Sequence, residues 1–302
     1  MRITSEEIAA LLTMITPTTR RPKRTSIDHL LSQVRRSMRT AIDKHMQASM
    51  VLLDEAIRFL LTFENFLFTR GLTAENRDFA LHITRLRSGI LSVRELVKLG
   101  QESAALALAR VFFEDIEIAM GLAIDPDFSL AYANASKDSD FWSKQIGYGK
   151  IYPRVQRFWA AGGADADLVN GMLSHHKELK SFLSGHIHPT SSSAFRAALP
   201  RALDNPGMFL KRPLGSLGEH LPLLCLILAD EVQMFSACSI NMFIRSNPPS
   251  VFSDFKPSGE MDDFLSAAHV LQQLIVKYHD PLWQRHQEMM VAWDPGPSFV
   301  ET

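Results

Sequence analysis

The chain has 302 residues, 46% of them hydrophobic and 22% charged, which excludes wholesale disorder and allows a sizeable core. Its formal net charge of -1 gives no overall attraction to nucleic acid or to an anionic membrane. A disulfide framework is also excluded, because Cys225 and Cys238 would lie about 20 Å apart on one helix. Two cysteines without a disulfide are typical of a reducing compartment, so we expect a cytoplasmic protein.

Residues 1–25 are predicted to be an N-terminal extension, a short helix followed by a basic linker. The four basic side chains of residues 20–24 could contact phosphates, which makes nucleic acid a candidate partner, although no aromatic side chain interleaves with them. A solvated linker is the alternative. Residues 1–40 carry a net +5 (eight Lys/Arg against three Asp/Glu), and residues 251–302 a net -5 (three against eight). The two ends could therefore pair within one fold or across a homo-oligomer.

Apolar residues recur every three or four positions between residues 26 and 70, which predicts long helical structure with a break near residues 44–48 and a C-cap at Gly71. Further helices are predicted over 73–99, 101–124, 140–160, 165–184, 216–245 and 261–279, and the last could continue past Pro281. A polar connection is expected at 127–138 and an irregular loop around 186–213. The sequence therefore predicts an all-α fold, a multi-helix bundle with long antiparallel helices, in which residues 26–302 form one domain.

The segment 221–244 is apolar enough to be a membrane candidate. However, Asp230 and Glu231 lie at its centre, where charges are unfavourable in lipid. It is therefore predicted to be a buried core helix, and no membrane partner is expected. Adjacent positions on a helix point about 100° apart, so one of the two carboxylates is expected to face the core and to pair with Arg110.

The segment QESAALALARVFFEDIE, residues 101–117, places Arg110 and Glu114 one helical turn apart. Because the surrounding residues are apolar, both side chains are expected to be largely buried, with at least one bonded to another helix. Such a pair is either a structural ion pair within the bundle or part of a functional site.

The segment HHKELKSFLSGHIHPTSSS, residues 175–193, concentrates histidines and hydroxyls at a predicted helix end. His186 and His188 follow the Gly185 cap, where the helix dipole favours protonated imidazole. These side chains could transfer protons, bind a metal or make ordinary cap hydrogen bonds. The chain has neither HExxH nor paired ExxH motifs, so no metal ligand is predicted. It also has no P-loop and no GxGxxG, and no cofactor is predicted.

The two segments ALALARVFFEDIEIA and LSGHIHPTSSS together resemble a mainly bacterial helical family catalogued as domain of unknown function five-six-seven-seven. Its members show an "A..L.R..fE" helix and a later "S..H" segment, which match Arg110, Glu114, Ser184, His186 and His188. The resemblance covers roughly residues 86–244. It implies an all-α fold and brings no established activity.

Three functions stay open at this point, and the sequence does not decide whether the protein is an enzyme. The first is a small-ligand-binding or regulatory protein with a polar pocket lined by Arg110, Glu114 and His186, with Ser184 beside them. The second is a metal-independent helical nuclease of the toxin or phage-defence type, in which His186 or His188 is the general acid or base and Arg110 stabilises phosphate charge. Such nucleases place Arg and His four to six residues apart on one helix, a spacing absent here. The third is a structural or assembly protein without a pocket.

Overall fold

The computed structural model describes residues 27–69, 71–135, 138–185, 187, 215, 217–244, 248–252 and 258–292. Over these residues the chain forms ten α-helices and no β-strand, which confirms the predicted all-α fold. In chain order they are α1 (Ile27–His45), α2 (Gln47–Thr69), α3 (Arg77–Lys98), α4 (Glu102–Ile124), α5 (Pro126–Ala133), α6 (Asp138–Phe141), α7 (Tyr152–Ala161), α8 (Ala166–Ser184), α9 (Leu221–Phe243) and α10 (Gly259–Ala292).

Helices α2, α9 and α10 pack on one another around a set of buried phenylalanines. The ring of Phe264 on α10 stacks on Phe63 and Phe66 of α2, with centroids 4.8 and 5.4 Å apart. Phe235 of α9 stacks in turn on Phe158 of α7 at 5.5 Å. Side chains of this size contribute most to the burial of apolar surface that drives folding. Helix α4 packs chiefly against α3, α7 and α8 at the side of this core.

Several predicted helix ends are confirmed. The helical structure is interrupted at Met46 between α1 and α2, within the predicted range 44–48. Gly71 follows α2 with a φ of +85°, a conformation that glycine adopts without steric penalty. Asp165 accepts a hydrogen bond from the backbone N–H of Leu168 at 2.9 Å and so caps α8.

Two segments differ from the prediction. The expected polar connection after residue 127 contains helix α5, because Asp125 caps it through the backbone N–H groups of Asp127 and Phe128 while Pro126 opens its first turn. The expected helix 140–160 is interrupted: α6 runs into a π-turn over residues 142–146 and a 3₁₀ turn over 147–149, and α7 begins only at Tyr152. Tyr148 has a φ of 58°, which ends any regular helix there.

The C-terminal helix α10 continues through Pro281 to Ala292, as the sequence suggested. The predicted short helix and basic linker of residues 1–25 lie outside the described residues, as does the predicted irregular loop 186–213 except for Ile187.

Helix α9 is the single described helix with the length and apolar composition to cross a membrane. Of its most apolar window, 67% is buried inside the protein, and Glu231 near its middle is only 1% exposed. It therefore packs as a buried core helix, as predicted.

Candidate functional site

A polar seam runs between α4 and α8 through otherwise apolar packing. On α4 it comprises Arg110, Glu114 and Glu117, and on α8 it comprises His176, Lys180 and Ser184. Each set is spaced by three or four residues, so each lies along one face of its helix. The contacts join the first residue of one set to the last of the other, which shows that the two helices run antiparallel.

The outer end of the seam is formed by Arg110, Glu114 and Ser184. The Arg110 guanidinium donates from Nη2 to Glu114 Oε1 at 2.8 Å and from Nε to Ser184 Oγ at 3.1 Å. Its Nη1 is buried and has no hydrogen-bond partner. The side chains of Arg110 and Glu114 are 16% and 24% exposed, so both are largely but not fully buried. The expected bond from this pair to another helix is confirmed by Ser184.

The inner end of the seam is buried. The two ring nitrogens of His176 lie 2.8 Å from Glu117 Oε1 and 3.0 Å from Glu231 Oε1. Lys180 donates to both oxygens of Glu117 at 2.7 Å. Two carboxylates and two cations thus meet among apolar side chains, and their charges cancel. Pairing of this kind is what makes buried charges tolerable.

His176 is protonated in this arrangement. Ionised carboxylates only accept hydrogen bonds, so a ring that bonds to two of them must donate from both nitrogens. Burial by itself lowers the pKa of His176, but the charge of Glu231 and the hydrogen bond to Glu117 outweigh burial and raise the pKa to about 9. The pKa of Glu117 is lowered, because His176 and Lys180 together overcome its burial.

Aromatic side chains surround the seam. The rings of Phe113 and Trp159 lie 5.2 and 5.9 Å from that of His176. Lys180 Nζ lies 5.2 Å from the centre of the Tyr152 ring, within range of a cation–π contact. Tyr152 is half-buried, and burial together with the charge of Glu117 raises its pKa.

The structure therefore brings together three of the predicted site residues, Arg110, Glu114 and Ser184. His186 and His188 lie outside the described residues, so their place relative to Arg110 stays a prediction. The prediction that Arg110 pairs with a carboxylate on α9 was wrong. Glu231 does face the core, but it bonds to His176, because Arg110 lies two turns away along α4 from Glu117 and already pairs with Glu114 within its own helix.

Sequence reasoning missed the inner end of the seam, Glu117, His176 and Lys180. A signal was present: Glu117 follows Arg110 and Glu114 at the next turn of the same apolar helix, and His176, Lys180 and Ser184 repeat every four residues. Charged residues that recur along one side of an apolar helix are candidates for a buried network. Which two helices pair was not visible in the sequence.

Within the described residues, no group of three or more His, Cys, Asp or Glu side chains is arranged to hold a metal ion. Both nitrogens of His176 are taken up by carboxylates, so this ring has no lone pair to offer a metal. Comparison with protein-family models, with curated proteins and with solved structures gives no match to this chain. The resemblance to the helical family thus stays a prediction.

Proposed function

We propose that the protein binds a small ligand at the outer end of the polar seam, and that Arg110 contacts an oxygen acceptor of that ligand. One observation carries the proposal: Arg110 Nη1 is buried and lacks a partner. A buried donor without an acceptor costs about 1–3 kcal/mol, so a carboxylate or phosphate oxygen placed there would relieve a cost already present in the free protein. Arginine is also the side chain best suited to such oxygens.

Glu114 and Ser184 fix the guanidinium from two sides, so its orientation is set before a ligand arrives. Preorganisation of this kind raises affinity, because little side-chain freedom is lost on binding. His186, two residues beyond Ser184, is proposed to complete the pocket. We place this activity in the cytoplasm, in agreement with two free and buried cysteines.

Binding is favoured over catalysis because the acid–base groups described next to Arg110 are engaged with one another. A general base must reach its substrate and exchange a proton near neutral pH. His176 holds its proton between two carboxylates, and Lys180 is held by Glu117. The nuclease alternative would therefore depend on His186 or His188.

The test is a binding titration with benzoate and phenyl phosphate, two probes that carry the expected oxygens. We expect saturable binding by the wild type, with the Arg110 side-chain N–H signals shifting in ¹⁵N NMR. Arg110→Gln should weaken binding at least tenfold. The matched control is Arg58→Gln on α2. Arg58 also pairs with a glutamate of its own helix, Glu55, but its side chain is 64% exposed.

Equal binding by the wild type and the Arg110→Gln variant would overturn the proposal. The same proteins should be tested against single-stranded RNA. Cleavage that is lost in Arg110→Gln and retained in Arg58→Gln would establish the nuclease function instead.

A further inference from the structure

A second polar region lies at the first turn of α4, next to the start of α9. Glu102, in the first turn of α4, accepts a hydrogen bond from the backbone N–H of His220 at 3.1 Å and lies 3.3 Å from the His220 ring. His220 precedes α9, and Glu219 lies 3.8 Å from the same ring. None of these residues belongs to the seam at Arg110.

His286 on α10 stands beside this pair and is only 7% exposed. Its Nδ1 is buried without a hydrogen-bond partner. Burial lowers the pKa of His286 to about 4, and the neighbouring His220 acts in the same direction against the opposing charge of Glu102. The ring is therefore neutral at neutral pH, and one of its two polar atoms is unused.

His286 also lines a cavity of about 270 Å³. The cavity lies between the break that separates α1 from α2, the first turn of α9, and the part of α10 that follows Pro281. Its apolar wall comprises Met46, Leu223, Leu226 and Leu282, and Ser49 adds a buried hydroxyl-bearing residue. Gln47 and the charged residues at the cavity edge make the rest of the lining polar, so the cavity suits a ligand with both an alkyl part and a polar part.

The charged side chains around the cavity are mostly basic. Lys44 and Arg285 contribute to its lining, against the single carboxylate of Asp43. Such an edge attracts an anion and disfavours a cation. The apolar wall requires that the rest of the ligand be a short hydrocarbon.

We propose that this cavity binds a small aliphatic carboxylate, with one carboxylate oxygen bonded to Nδ1 of His286 and the alkyl chain against Leu223 and Leu226. The anion would supply the partner that Nδ1 lacks. It would also favour a positive charge on the ring, so binding should be accompanied by proton uptake at His286 and should tighten as the pH falls from 8 to 6.

Charged and titratable groups from several neighbouring helices face His286 and affect its protonation. Glu102, at the start of α4, favours protonation of His286. His220, just before α9, opposes it, and Glu219 lies near the His220 ring. Charged residues also line the cavity edge, where the negative charge of Asp43 would favour protonation and the positive charges of Lys44 and Arg285 would oppose it. The bound carboxylate would add a negative charge next to the ring, so binding should raise the affinity of His286 for a proton.

The experiment is calorimetric titration of the full chain with butyrate, and with butan-1-ol and butylammonium as ligands of the same length with other head groups. We expect saturable one-to-one binding of butyrate alone. His286→Leu should weaken it at least tenfold, and His286→Asn, whose amide replaces the Nδ1 donor, should retain part of it. His269→Leu is the matched control, an exposed histidine on the same helix.

Histidine ¹⁵N NMR on the wild type gives a second readout that needs no substitution. The His286 signals should move toward those of imidazolium when butyrate is added. Absence of saturable butyrate binding would overturn the proposal. So would equal binding of butan-1-ol, equal binding by His286→Leu, or unchanged His286 signals in the presence of bound butyrate.

Discussion

The two buried histidines His176 and His286 show how the same side chain takes opposite charge states in one bundle. Both are more than nine-tenths buried. His176 lies between two carboxylates and its pKa is raised to about 9, whereas Nδ1 of His286 has no partner and the pKa of that ring is lowered to about 4. Burial acts in the same direction on both, so the difference comes from the two carboxylates that are hydrogen-bonded to His176.

The comparison also separates a structural region from the two places where we propose ligand sites. At the inner seam every charge has an opposite charge within hydrogen-bond distance, although Glu231 Oε2 and the indole nitrogen of Trp159 are buried without partners. At Arg110 the unpartnered atom belongs to a side chain that is partly exposed, and at His286 it belongs to a ring that lines a cavity. We therefore expect substitutions in the inner seam to change stability and substitutions at the other two places to change binding.

The largest effect is expected from Glu117→Gln. The amide removes the charge that compensates both His176 and Lys180, and breaking a buried ion pair from one side costs about 3–5 kcal/mol. The free energy of unfolding, measured by urea denaturation at pH 7, should fall by about that amount. A loss below about 1 kcal/mol would mean that water reaches the inner seam.

The next effect is a loss of stability at alkaline pH. The pKa of His176 is about 9 in the folded protein and about 6.5 in an unfolded chain, so its contribution is fully present below pH 6.5 and disappears as the pH rises through 9. We expect about 3 kcal/mol to be lost between pH 6.5 and 9.5. His176→Gln should lack this slope, and a wild type with constant stability over that range would contradict the assignment of the charge.

A loss in the acid range is expected from His82 on α3. Its Nε2 donates to the carbonyl oxygen of Asp115 at 2.8 Å, and burial lowers the pKa of the ring to about 4. The unfolded chain binds the proton near pH 6.5, so stability falls as the pH decreases from there toward 4. Between pH 7 and 5 the wild type should lose about 2 kcal/mol through this residue, seen as the difference from the pH profile of His82→Gln.

The sequence predicted the all-α fold, a break near residues 44–48 and the burial of α9, because apolar spacing and helix caps are local properties. It also grouped Arg110, Glu114 and Ser184 in one candidate site, from the Arg/Glu pair in an apolar helix and the hydroxyl groups at a predicted helix end. The partners of His176 and His286 were not predicted, because both depend on which helices pack together. Helix α5 was missed because its cap at Asp125 resembles a helix stop when only the preceding helix is considered.

The smallest effect is expected from Glu114→Gln, one turn before Glu117 on the same face of α4. Glu114 is 24% exposed and pairs with Arg110 within its own helix, whereas Glu117 is completely buried. Water can compensate Arg110 when the charge of Glu114 is removed, so the free energy of unfolding should change by less than about 1 kcal/mol. The same substitution at two neighbouring turns isolates the effect of burial. If Glu114→Gln were as destabilising as Glu117→Gln, the outer end of the seam would be closed to water, and the site proposed at Arg110 would lose its route for a ligand.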